Sequence, residues 1–302
     1  MRFLPPTGAL LAALALLAGC APTTTYRHTA YVPAVRPIPF DGRTAEMGTM
    51  RIEGTVTGST IAPDLFPQVG DTAVFVPRYT AEGSVMIAAT PNVEIGARAA
   101  YASYSWGQAS ATGTMPLPNA PSSWGAGPEM RLAFPVTKDK RLAIGIAGNL
   151  MYYTVPYAEW QLDATSGQCA VTSTCGYSLA NTGSDGHFVY SLGLYPSYAF
   201  GRDGQYGHVF GLVAATNGFS NDGFTNTQSS GSTVNAVGPI AILGGGYGVS
   251  YQWLRASATA FLPMTTSSSP VDYGLGVMLT VGVNLDLGWR RPDGSETPPA
   301  GG

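Results

Sequence analysis

The chain has 302 residues, of which 15 are Lys or Arg and 18 are Asp or Glu, so its formal net charge at pH 7 is −3. Charged residues make up 11% of the chain, against about 25% in soluble domains, and hydrophobic residues make up 45%, which argues against intrinsic disorder. Nucleic-acid binding is disfavoured because such domains are usually basic. A bundle of transmembrane helices is excluded beyond residue 20, where no run of about 18 apolar residues occurs.

The first twenty residues have the pattern of an export signal. A basic start is followed by an apolar stretch of Leu and Ala over residues 8–18, too short to span a membrane as a mature helix. The stretch ends in Leu17-Ala18-Gly19-Cys20, which resembles the bacterial lipobox. The resemblance implies that residues 1–19 are a lipoprotein signal peptide and that Cys20 is lipidated, and Ala21 in place of Asp implies sorting to the outer membrane. An ordinary secretory signal is the alternative.

Two segments without periodicity flank the body of the chain. Residues 20–49 hold four prolines among Thr, Tyr and Arg, and we predict that they form a lipidated, semi-extended tether. Residues 290–302 are polar with Pro and Gly and are predicted to be a flexible tail.

The body of the chain, residues 50–289, shows hydrophobic alternation with a period of two. In the last segment, Leu and Val fill the odd positions from Leu275 to Leu287, and smaller or polar residues fill the even ones. Such alternation is typical of a strand with one apolar face. Most segments reach the roughly 9–11 residues that a tilted strand needs to cross a bilayer. The ten predicted strands are residues 50–57, 82–90, 93–104, 124–135, 141–153, 188–200, 207–217, 236–250, 253–263 and 273–289.

The connections between these segments are alternately long and short. Outer-membrane barrels sort their connections in this way, with short turns in the periplasm and long loops outside. The even number of strands then places both termini on the periplasmic side.

The charged residues within the segments test which face meets lipid. In each strand they lie on the face opposite the large apolar side chains, and Arg or Lys on the lipid face would cost about 2–4 kcal/mol at the midplane. A soluble sheet with a solvated face is the alternative. We predict a balanced charge network that plugs the lumen, made of Arg51, Glu53, Glu94, Arg98, Glu129, Arg131, Arg255 and Asp286.

The alternation, the sorted connections and the aromatic residues near strand ends together resemble a bacterial outer-membrane β-barrel. The size class lies between the eight-stranded OmpA/OmpX-like barrels and the ten-stranded omptins. The predicted fold is therefore all-β: a closed antiparallel transmembrane barrel of about ten strands, within a range of 8–12. Classical barrels end in an aromatic residue, whereas here thirteen residues follow Trp289.

Cys169 and Cys175 lie in the longest connection. A metal site would need further ligands nearby, and the sequence offers none. Since an exported protein meets an oxidising compartment, we predict a disulfide between the two cysteines, with free thiols as the alternative.

Catalytic motifs are absent from the sequence. Omptin proteases use Asp–Asp and His–Asp pairs at the outer rim, and no matching pair is evident here. His187 has Ser184 and Asp185 close by in sequence, but neighbouring loop residues are usually only solvated. We therefore predict no enzymatic activity, no cofactor and no metal.

The predicted function is a structural or surface-interaction role through long external loops. The expected partners are outer-membrane lipid and a lipopolysaccharide or extracellular ligand at the loops, and no nucleic acid. Three alternatives stay open: a narrow passive channel for small solutes, a lipid-anchored soluble periplasmic β-domain that binds an apolar ligand, and an omptin- or acyltransferase-like enzyme.

Overall fold

A computed structural model describes most of the body of the chain and two short segments outside it. The described residues are 25–28, 36–61, 74–107, 122–162, 177–201, 206–217, 224–226, 240–251, 253–264 and 273–288. Within these ranges, no helix is long and apolar enough to cross a membrane. The strands are β1 (Thr25–His28), β2 (Thr49–Ile61), β3 (Val74–Thr90), β4 (Val93–Gly107), β5 (Ser122–Pro135), β6 (Leu142–Leu162), β7 (Tyr177–Ala199), β8 (His208–Thr216), β9 (Phe224–Asn226), β10 (Ile240–Tyr251), β11 (Leu254–Met264) and β12 (Tyr273–Asp286).

Ten of these strands form a closed antiparallel barrel. The order around it is β5-β4-β3-β2-β12-β11-β10-β8-β7-β6, and the pairing of β5 with β6 closes the ring. In that pairing Leu132 lies opposite Ile146, and at the seam between the ends of the chain Leu279 of β12 lies opposite Val56 of β2. The predicted all-β fold and the predicted number of ten barrel strands are confirmed.

The connections divide the barrel into two ends. Residues 91–92, 136–141, 200–207 and 252–253 join strands at one end, which we call the turn side. The strand ends that the longer connections join lie at the opposite end, which we call the loop side; these connections are residues 62–73, 108–121, 163–176, 217–239 and 265–272. This is the predicted alternation of long and short connections.

The outer wall of the barrel is apolar. On β12, Leu275, Val277, Leu279 and Val281 are each about half exposed, whereas the residues between them are buried. Exposed aromatic residues lie toward both ends of the strands. Those toward the loop side are Tyr79, Tyr101, Trp124, Tyr152, Phe188 and Tyr190, and those toward the turn side are Phe134, Tyr198, Phe200, Tyr206, Tyr247, Tyr251 and Trp253. An apolar band between two aromatic girdles is typical of outer-membrane barrels.

One strand, β10, has an ambiguous alternation in the sequence because three glycines follow one another at its centre. In the structure, Ile240 and Ile242 point into the barrel, and Leu243, Tyr247 and Val249 point outward. The side chains of Phe210 and Phe261 occupy the space beside these glycines, where a Cβ on Gly244 or Gly246 would lie within 3 Å of them.

Two short strands lie outside the ring. β1 pairs antiparallel with β6, Thr25 opposite Gln161 and His28 opposite Ala158. β9 pairs with the other edge of β1. Both therefore lie at the loop side, beyond the part of β6 that pairs with β5.

Candidate functional site: the filled lumen

The lumen of the barrel contains a cluster of buried charged side chains. β2, β3, β4 and β5 contribute Arg and Glu at inward positions, because on the outer wall the same residues would have to leave water without a partner. Seven of these residues are less than 9% exposed: Arg51, Glu53, Glu82, Glu94, Arg98, Glu129 and Arg131.

Arg131 lies at the centre of this cluster. Its Nη2 lies 2.7 Å from Oε2 of Glu53, and its Nε lies 2.7 Å from Oε1 of Glu129. The same Glu129 carboxylate accepts hydrogen bonds from both Nε and Nη2 of Arg98, the latter at 2.9 Å. Glu129 thus joins two guanidinium groups, an arrangement in which charge-assisted hydrogen bonds are strongest.

The cluster extends around the wall from these residues. Arg98 Nη1 donates to Oε2 of Glu82 at 2.9 Å, and Arg51 Nη2 lies 3.0 Å from Oε1 of Glu94. Together with Arg36, which pairs with Glu82, the described residues form a charge network of four arginines and four glutamates. The network is electroneutral, as a low-dielectric interior requires. Its members are Arg36, Arg51, Arg98, Arg131, Glu53, Glu82, Glu94 and Glu129.

The space inside the wall is filled by the chain itself. Residues 36–48, which we call the lumen segment, run through the barrel before β2 begins. Ile38 and Phe40 are buried in one apolar cluster with Tyr195, whose hydroxyl donates to the Ile38 carbonyl at 2.9 Å. The ring of Phe40 lies edge-on to Tyr195 at 5.3 Å and beneath the guanidinium of Arg131 at 5.5 Å. The segment therefore packs against both the apolar and the charged parts of the lumen.

Charged contacts hold the lumen segment at its first residue and near its middle. Arg36 pairs with Glu82 and donates to the Tyr153 hydroxyl at 2.6 Å. Asp41 is 3% exposed, pairs with Arg255 and lies 2.9 Å from Nε2 of His208. Each buried charge of the segment thus meets an opposite charge from the barrel wall.

The lower part of the segment reaches the turn side. Arg43 donates to the carbonyl oxygens of Lys140 and Arg141, and Thr44 donates to the carbonyl of Pro91 at 2.9 Å. In the same region, the Thr137 hydroxyl and the Arg141 N–H hold the pKa of Asp139 below its usual value. The amide of Leu287, just after β12, donates to the carbonyl of Gly48 at 2.9 Å.

Two glycines allow the segment to lie directly against the wall. Gly42 has a φ of +82°, which disfavours other residues, and a Cβ there would lie 2.5 Å from the Tyr195 carbonyl oxygen. A Cβ on Gly145 of β6 would lie 2.6 Å from Cα of Gly42. The segment and β6 therefore fit only because neither position carries a side chain.

Most of the predicted lumen charges lie together in the structure, but two of them do not belong to the charge network. Six of the eight predicted lumen charges lie in the charge network, and Arg255 is buried but pairs with Asp41 instead. Asp286 lies outside the network. It is exposed at the turn-side end of β12, where the lumen has ended, and its carboxylate accepts a hydrogen bond from the Gly288 amide. Cys20, Cys169 and Cys175 lie outside the described residues, as do residues 1–24, the signal peptide and the start of the predicted tether, and the tail after Gly288.

Sequence reasoning missed four charged or titratable members of the lumen: Arg36, Asp41, Glu82 and His208. Glu82 has the inward parity of Ser84 and Met86, so the alternation of β3 could have identified it. Arg36 and Asp41 lie in the aperiodic, proline-containing stretch, where no pattern marks a buried residue. Among the described residues, no group of three His, Cys, Asp or Glu side chains is placed to hold a metal ion.

Comparisons with known proteins give structural likeness alone. No protein-family model matches the chain, and no curated protein matches it. One solved structure with a similar fold is an outer-membrane channel from Pseudomonas putida F1, at 9% sequence identity and a TM-score of 0.46, covering 83% of this chain and 100% of that one. A second is the translocator domain of the autotransporter NalP from Neisseria meningitidis, at 13% identity and a TM-score of 0.42, covering 80% of this chain and 88% of that one. A third is LpxR from Salmonella typhimurium, at 10% identity and a TM-score of 0.40, covering 77% of this chain and 99% of that one.

Proposed function

We propose that the protein is an outer-membrane barrel whose lumen is closed by its own lumen segment and whose role is structural or one of surface interaction. The observation that carries the proposal is the burial of Ile38, Phe40 and Asp41 inside the ring, with Asp41 held by Arg255. A side chain that fills a narrow barrel leaves little room for solute.

The outer wall supports the location in a membrane. Half-exposed Leu and Val alternate with buried residues on the strands, and a closed barrel satisfies every backbone hydrogen bond where water is absent. A soluble β-domain with the same alternation would expose this whole apolar surface to water. Lipidation of Cys20 would add a second attachment, in line with the lipobox-like residues before it.

The proposed surface role belongs to the loop side, where the long connections lie. Their acidic residues suit a ligand that presents divalent cations, such as a lipopolysaccharide layer, and a disulfide between Cys169 and Cys175 would restrain the longest of them. The proposal assigns no enzymatic activity to the protein.

Conductance in a planar lipid bilayer tests the closed lumen. We expect the full-length protein to give no large, stable conductance, because the lumen segment occupies the path. Asp41→Asn, which leaves Arg255 without its anionic partner, should give brief openings, whereas Asp139→Asn in an exposed turn should not.

Stable conductance from the full-length protein would contradict the closed lumen and favour a passive channel. Heat-modifiable gel migration of each sample shows that the barrel is folded in the recording. A protein that leaves the membrane once its N-terminal anchor is cleaved would instead be a soluble lipid-anchored domain.

A further inference from the structure

The direction of the lumen segment determines on which side of the barrel β1 lies. Its contacts descend toward the turn side in chain order. Arg36 contacts Tyr153, well above the start of β6, and Phe40 packs on Tyr195, four residues before the end of β7. Asp41 then contacts His208, the first residue of β8, and Thr44 contacts Pro91 within a turn. The segment therefore enters the barrel from above and leaves it at the turn side.

The position of β1 gives the same direction independently. His28 pairs with Ala158 and Thr25 with Gln161, close to Leu162, where β6 ends at the loop side. From Thr25 to His28 the chain therefore runs from the loop-side rim toward the lumen. Arg36 follows His28 by eight positions, a stretch of chain that can span about 26–29 Å, which suffices to pass from the rim to the middle of a barrel wall.

The passage of the lumen segment adds one crossing of the barrel to the ten crossings made by the strands. Ten barrel strands alone would leave the start of β2 and the end of β12 on the same side, and Gly48 and Leu287 are indeed hydrogen-bonded there. The lumen segment crosses once more before β2. β1 and the end of β12 therefore lie on opposite sides of the barrel.

We infer that the chain enters the barrel from the loop side, so that β1 lies at the outer surface of the membrane and the end of β12 lies on the periplasmic side. This inference rests on the proposed outer-membrane location with the turns in the periplasm. The even number of barrel strands alone would instead keep the residues that precede β2 on the periplasmic side.

Epitope accessibility in intact cells tests this topology. The same short epitope is inserted in three separate full-length proteins: after Pro22, after Ser166 in the longest loop, and after Asp293 in the C-terminal tail. We expect antibody to bind the Pro22 and Ser166 insertions on intact cells, and the Asp293 insertion only after permeabilisation. The Asp293 insertion is the matched control, because it also lies in a terminal segment.

The three insertions separate failure of the inference from failure of the proposed function. Antibody access at Ser166 but not at Pro22 would overturn the inference and leave the outer-membrane barrel intact. No access at Ser166 on intact cells would overturn both. If the Pro22 insertion prevents heat-modifiable migration, a Thr25→Cys variant with Cys169 and Cys175 changed to Ser replaces it, and a membrane-impermeant maleimide must label Thr25→Cys above the level of the Thr25 parent on intact cells, or the inference is wrong.

Discussion

At the scale of single residues, Arg131 shows how a charged side chain can be accommodated in the lumen. It is fully buried and contacts the carboxylates of Glu53 and Glu129 at 2.7 Å each. Removing two charges from water is costly, and only close, well-oriented pairing repays that cost. The arginine is thus required mainly because its partners are present.

The first prediction concerns the replacement of Arg131. Arg131→Met leaves buried carboxylates without their central cation, and we expect the free energy of unfolding to fall by about 3–5 kcal/mol. Urea unfolding in lipid vesicles, followed by tryptophan fluorescence, measures the change. Arg141→Met is the matched control, because Arg141 is exposed and pairs with the exposed Asp139, and it should leave the transition unchanged. Equal effects of the two variants would show that the network is not buried.

At the scale of elements, the strands could be predicted and the lumen segment could not. Each barrel strand has one lipid-facing and one lumen-facing side, and this difference produces a period of two that is visible in the sequence. The segments 50–57 and 93–104 therefore match β2 and β4 closely. The alternation ends where the wall no longer has two different surroundings, and for this reason the loop-side extensions of β6 and β7 were missed.

The lumen segment has no such period because wall residues surround it on all sides. Residues 36–48 contain prolines and alternate irregularly between polar and apolar, which is also the composition of a tether. Arg255 on the inner wall pairs with Asp41 of this segment, but no pattern in residues 36–48 marks Asp41 as its partner.

The second prediction tests the fit between β6 and the lumen segment. Gly145→Val places a side chain where Cα of Gly42 lies, so the segment must shift, and overpacking of this kind costs about 1–3 kcal/mol. Hydrogen exchange of peptides covering residues 36–48 should become faster. Gly148→Val, on the same strand but with its nearest neighbour at 3.5 Å, should leave the exchange unchanged. Unchanged exchange in both variants would mean that the segment does not lie against β6.

At the scale of the whole molecule, the barrel separates an apolar exterior from a charged interior. The closed ring leaves no unpaired strand edge within the barrel, so in the proposed membrane location hydrocarbon would meet only side chains. The interior keeps its charges balanced through contacts between the wall and the lumen segment. The depth of a residue on the outer wall should therefore determine how well it tolerates a charge.

The third prediction uses this dependence on depth. Leu279→Arg places a cation near the middle of β12 on the outer wall, and we expect a loss of about 2–4 kcal/mol in the free energy of unfolding. Leu285→Arg lies on the same face near the turn-side end, where the cost falls to about 0–1 kcal/mol. Unfolding in lipid vesicles compares the two. A larger loss in the free energy of unfolding for Leu285→Arg than for Leu279→Arg would contradict the position of the apolar band on the outer wall.

The orientation of the barrel wall determines which side of each strand contacts hydrocarbon. Spin labels at single cysteines from Val277 to Val281, in protein reconstituted in lipid vesicles with Cys20, Cys169 and Cys175 changed to Ser, measure this directly through collisions with oxygen and with a water-soluble nickel complex. We expect high oxygen contact at Val277, Leu279 and Val281 and low oxygen contact at Met278 and Thr280. Nickel contact at the three odd positions, or the same oxygen contact at all five, would contradict an outer wall that faces lipid.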